Sequence, residues 1–153
     1  MLWEEFRSLA LPLLGEHFPS ELIEDNVDSI VVTSRRDFTT YILSEDERGI
    51  VIAYEGERNT VVPFCITQSL ELAATCLTLL ARDGIVTLTD MSYTPQDLLG
   101  PLPHTAFTIS KKSPPFFELT STIDPTISAT CQSFACARAI AEASAPSLGS
   151  PRP

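Results

Sequence analysis

Residues 29–64 read SIVVTSRRDFTTYILSEDERGIVIAYEGERNTVVPF, and this stretch decides the fold. Four runs rich in β-branched and aromatic residues, Ile30–Thr33, Phe38–Leu43, Ile50–Tyr54 and Thr60–Phe64, alternate with short polar connectors. Such runs fit a pleated, half-buried surface, and connectors of hairpin length, two of them holding Gly49 and Gly56, join neighbouring strands in antiparallel order. The stretch therefore predicts an antiparallel β-meander.

Outward from the meander the period changes. On its N-terminal side Leu2, Phe6, Leu9 and Leu13 recur at helical spacing, with Glu4 and Glu5 in the first turn; a helix is expected to kink at Pro12 or end near Gly15. On its C-terminal side Leu70, Ala73, Ala74, Leu77 and Leu80 define a second helix, with Thr67 as its candidate cap and Asp83-Gly84 as its stop. Residues 85–89, 106–110 and 116–120 read as further strands, and residues 91–103 as a Pro- and Gly-rich loop. Asp124-Pro125 signals the start of a last helix running to about Ala143. The expected architecture is α+β, an antiparallel sheet of six or seven strands packed by two or three helices in two layers. Its core is expected to join Leu70, Leu77, Leu80, Ile127, Cys131 and Phe134 to Ile52, Val62 and Phe107. Residues 1–143 are expected to form one domain with a weak internal ββα echo, and residues 144–153, rich in Ser and Pro, a flexible tail.

The chain has 153 residues, 44% of them hydrophobic, enough to bury a core, and a formal net charge of -10. That charge opposes binding to phosphate backbones and anionic membranes, so neither nucleic acid nor membrane is an expected partner. The start Met1-Leu2-Trp3-Glu4-Glu5-Phe6 lacks the basic and apolar regions of a secretory signal. The four cysteines, Cys65, Cys76, Cys131 and Cys136, contain no Cys-x-x-Cys pair and read as buried free thiols, which points to a reducing cytoplasm. On a continuous last helix Cys131 and Cys136 would occupy different faces.

Catalytic patterns are missing: there is no Gly-x-Ser-x-Gly, Gly-x-Gly-x-x-Gly, Walker or His-Glu-x-x-His motif, and His17 and His104 are far apart in the chain. A non-enzyme without metal or other cofactor is expected. Charge placement suggests a binding role instead, because residues 1–68 hold thirteen acids and five bases. The densest acids, Glu45, Asp46 and Glu47 with Glu55 and Glu57, fall on two predicted hairpin turns suited to a basic protein partner. Tyr93, Leu98, Leu99 and Leu102 of the long loop, with His104 beside them, are the candidate apolar anchors, or alternatively a lid on the core.

The segment Ser29–Gly84, with its strands Phe38–Leu43, Ile50–Tyr54 and Val61–Phe64, the turn Ser44–Gly49 and the helix from Ser69, resembles bacterial toxin immunity proteins. The resemblance is to immunity factors against NAD-glycohydrolase toxins of the tuberculosis necrotizing toxin type. It implies a monomeric inhibitor that occludes the NAD pocket of a toxin catalytic domain. The order of elements is also similar to class I type III secretion chaperones, which implies, as the alternative, binding of an effector segment.

Overall fold

The computed structural model describes residues 1–85, 88, 99–113 and 116–144, the side chain of Glu57 excepted. Its elements in chain order are α1 (Trp3–His17), β1 (Ile23–Asp25), β2 (Ser29–Ser34), β3 (Thr39–Asp46), β4 (Gly49–Glu55), β5 (Val61–Thr67), α2 (Leu70–Asp83), β6 (Gly100–Pro101), β7 (Phe107–Lys111), β8 (Phe117–Ser121), β9 (Ser128–Cys131) and α3 (Phe134–Ser144). All nine strands join one antiparallel sheet in the order β1-β2-β3-β4-β5-β9-β8-β7-β6, an α+β fold built on a meander as expected.

Alternation along the strands places Ile30, Val32, Tyr41, Leu43, Ile50 and Ile52 on the face that the helices cover. Leu72, Ala73, Cys76, Leu77 and Leu80 of α2, and Cys136, Ala137 and Ile140 of α3, complete this core. Leu77, Leu80, Cys131, Phe134, Ile52 and Phe107 are buried as expected. Leu70 and Ile127 pack only partly against the core, and Val62 is half-buried.

Each half of the sheet is a meander that ends in a helix, and the halves meet where β5 pairs with β9. The two helix entries are alike: Gln68-Ser69 leads into α2 and Gln132-Ser133 into α3. Ser69 Oγ accepts the Leu72 N–H, and Ser133 Oγ accepts the Cys136 N–H three residues on, the geometry of an N-cap. An approximate two-fold thus runs through the opposed pair Ile66 and Thr130.

Four expectations need correction. The cap of α2 is Ser69 and not Thr67, whose hydroxyl is committed to the Ser69 N–H and the Ser128 carbonyl. The last helix starts at Phe134, because Asp124 takes the Thr126 N–H and hydroxyl in a tight turn and β9 then fills the centre of the sheet. Sheet pairing on both sides outweighs local helix signals there. Helix α1 runs on past Pro12 to His17, since Ser8, the residue whose carbonyl loses a partner, is exposed to water, and its buried stripe is Trp3, Phe6, Ala10 and Leu14 rather than the one containing Leu9. Finally, the Ile85 carbonyl accepts the Leu88 N–H, a bond between near neighbours that the strand expected over 85–89 does not make; residues 86, 87 and 89 lie outside the described residues. The expected tail, 145–153, and most of the long loop, 91–98, lie outside them too.

Candidate functional site

The strands β2 to β5 are apolar on both faces. Val31 lies opposite Ile42 and Ile42 opposite Ala53, while Val51 lies opposite Ile66 one rung along. Val51, Ala53 and Ile66 form a second apolar cluster, separate from the core that the helices cover. Val51 is only 8% exposed and Ile66 6%, because cross-strand neighbours cover one another, whereas Val31 and Ile42 are half-buried and reach solvent. No described helix packs on this face.

Toward β9 and β8 the same face becomes polar. Thr130 lies opposite Glu118, and Lys112 Nζ both donates to Thr130 Oγ1 at 3.1 Å and pairs with Glu118 at 3.0 Å. A cavity of about 500 Å³ opens here, lined by Arg48, Ile66, Lys112, Phe116, Thr126 and Thr130 among others. Arg48 is held by Asp46 at 2.6 Å, and that hydrogen bond holds the Asp46 carboxyl below the ordinary range. Both cations of the cavity therefore have a carboxylate partner, so the cavity carries no excess positive charge.

The predicted site residues divide into three groups. Glu45 projects to the helical side, where its carboxylate accepts the N–H of Leu2 at 2.9 Å and of Trp3 at 3.2 Å and so caps the start of α1. With Asp46 paired to Arg48, Glu47 is the exposed acid left on that turn. Met1, Leu2, Glu45, Asp46 and Glu47 together border a shallow cavity of about 680 Å³. Glu55 is exposed on the apolar-strip face at the other end of β4, next to Glu57. The two acidic turns thus stand at opposite ends of the sheet and not on one edge, because consecutive hairpins of a meander reverse direction.

Of the loop candidates, Leu102 is buried and Leu99 is partly buried against the core, the placement that the lid reading expects. Tyr93 and Leu98 lie outside the described residues. His104 is exposed in the turn before β7, while His17 lies beside Arg35 and Arg36 at the far end of α1. Among the described residues no group of three His, Cys, Asp or Glu side chains is arranged to hold a metal ion.

Sequence reasoning missed the apolar strip. Its signal is in Ile50-Val51-Ile52-Ala53, an unbroken apolar run where one solvated face would require alternation. No helix among the described residues is long and apolar enough to cross a membrane. Comparison with family models, with curated proteins and with solved structures finds no match to this chain.

Proposed function

We propose that the protein is a non-catalytic inhibitor of the immunity type, which binds a basic toxin or effector enzyme through the sheet face that no described helix covers. The observation that carries this reading is the apolar strip Val31, Ile42, Val51, Ala53 and Ile66, which reaches solvent at Val31 and Ile42 and lies between acidic turns. An apolar centre with a charged rim is the anatomy of a protein interface, and the net charge of -10 selects a basic partner and speeds its approach. Glu45, committed to the start of α1, and Asp46, paired with Arg48, leave Glu47 and Glu55 as the steering acids. Such a protein works in a reducing cytoplasm, where free thiols persist.

The test is co-purification with, and inhibition of, any toxin-like catalytic domain found encoded beside it. A one-to-one complex that suppresses NAD hydrolysis, and that Ile42→Lys abolishes, supports the proposal. Suppression that Ile42→Lys leaves intact moves the interface elsewhere. The observed order of helix, strands, helix, strands and helix also favours a second reading as a secretion chaperone. A stable dimer in solution that binds an extended effector segment, with no effect on any enzyme, selects that reading.

A further inference from the structure

All four cysteines of the chain meet in one place. Cys65 on β5, Cys131 on β9, Cys76 on α2 and Cys136 on α3 are each fully buried. The Cys65 thiol and those of Cys131 and Cys76 perturb one another's proton affinity, as do the Cys136 thiol and those same two, which groups the four in one ring. Cys136 Sγ also donates to the Phe64 carbonyl at 3.6 Å. The ring lies at the seam between the two halves of the sheet.

Within the ring, sheet register fixes one pair. Cys65 and Cys131 are directly opposed across β5 and β9. The Gln132 N–H donates to the Phe64 carbonyl at 2.9 Å, so the adjacent Cys65–Cys131 pair is of the non-hydrogen-bonded kind. Such pairs place their Cα atoms about 4.5 Å apart, inside the roughly 4.4–6.8 Å that a disulfide spans. We propose that Cys65 and Cys131 form a peroxide-driven disulfide switch that covalently joins the two halves of the sheet.

The chemistry balances with hydrogen peroxide as oxidant. The Cys65 thiolate attacks one peroxide oxygen, the O–O bond breaks, and hydroxide leaves and takes up the thiol's proton as water. The resulting sulfenic acid is attacked by the Cys131 sulfur; the S–S bond forms, the S–O bond breaks, and a second water departs. Two thiols give up two electrons and one peroxide becomes two waters. Hydrogen bonds from Cys131 and then Cys76 hold the Cys65 thiol well below its ordinary value, which favours it as the attacking group, whereas hydrogen bonding with Cys136 and Cys65, together with burial, pushes Cys76 well above. Burial limits entry to a small oxidant that arrives when the seam opens locally.

The experiment treats the fully reduced protein with hydrogen peroxide, blocks remaining thiols under denaturing conditions and maps linked peptides without reduction. Cleavage after Glu71 separates Cys65 from Cys76, and cleavage after Phe134 separates Cys131 from Cys136. The expected result is loss of two of the four thiols, a Cys65–Cys131 link, and a thermal midpoint several degrees higher that dithiothreitol reverses. Cys76→Ala should still form the link, and Cys131→Ala should leave a sulfenic acid at Cys65 that dimedone traps. Any other predominant pairing overturns the proposal. So does retention of all four thiols at peroxide levels that fully oxidise a free cysteine derivative, a readout that needs no variant to fold.

Discussion

The backbone N–H of Trp3 donates to the carboxylate of Glu45, a residue on the other side of the sheet's first hairpins, at 3.2 Å. With the matching bond from Leu2, a strand side chain satisfies orphan donors that no residue of the N-terminal segment satisfies, since Leu2 provides no side-chain cap. Glu45→Ala should therefore cost about 1 kcal/mol, within the range for lost N-caps, while Glu47→Ala on the same turn is neutral within about 0.5 kcal/mol. Urea midpoints for the two variants separate the roles; equal midpoints would remove Glu45 from the frame of the fold.

Gly49 has φ +127°, and a Cβ built there would lie 2.4 Å from the Thr67 carbonyl oxygen. Backbone cannot swing aside as a flexible side chain can. Gly49→Ala should cost well over about 1 kcal/mol, from the strained φ and the clash together. Gly15→Ala, with nothing near its Cβ, is the control and should leave the thermal midpoint unchanged or slightly raised.

Leu77 is 1% exposed at the centre of the helix–sheet core. Leu77→Ala should destabilise by about 2–5 kcal/mol, the usual transfer and cavity cost of such a truncation. Chemical denaturation monitored at Trp3, the sole tryptophan, provides the measurement.

Tyr41 is buried and donates its hydroxyl to Asp37, and burial followed by that hydrogen bond raises its pKa above the ordinary 10.0. The folded state prefers the neutral phenol, so its contribution to stability is complete below pH 10 and is lost as pH climbs further. Tyr41→Phe should lower stability at neutral pH by about 1.5–3 kcal/mol, as expected for a hydrogen bond to a charged group, and should flatten the alkaline decline. In absorbance titrations the tyrosinate signal missing from the variant should appear in the wild type only well above pH 10. A signal that appears at pH 10 contradicts the hydrogen-bonded geometry.

Ile42 lies on the face that no described helix covers and Leu43 on the core face, one residue apart. Ile42→Lys should keep the chain folded while weakening partner binding at least tenfold, and Leu43→Ala should unfold it more readily by about 2–5 kcal/mol. Glu47→Lys with Glu55→Lys should slow association and reduce its dependence on salt with little change in dissociation. Surface plasmon resonance at two ionic strengths distinguishes these effects.

The meander was legible in the sequence because hairpin connectors and β-branched runs are local signals: β2 to β5 follow from residues 29–64 with only their ends shifted. Helix α2 followed from its apolar spacing for the same reason. Local signals failed at residues 128–131, where Asp124-Pro125 announces a helix but two open strand edges, of β5 and β8, stood waiting to be paired. They failed again at Glu45, which reads as a solvated acid until α1 is laid across the sheet. The sequence by itself determined the class of fold, the acidic character and the burial of the cysteines. Only the tertiary structure brought Cys65 against Cys131, sent the two acidic turns to opposite ends and left Val31 and Ile42 on a face that no described helix covers. Those relations depend on strand order and direction, which couple residues dozens of positions apart and so leave no periodic trace in the chain.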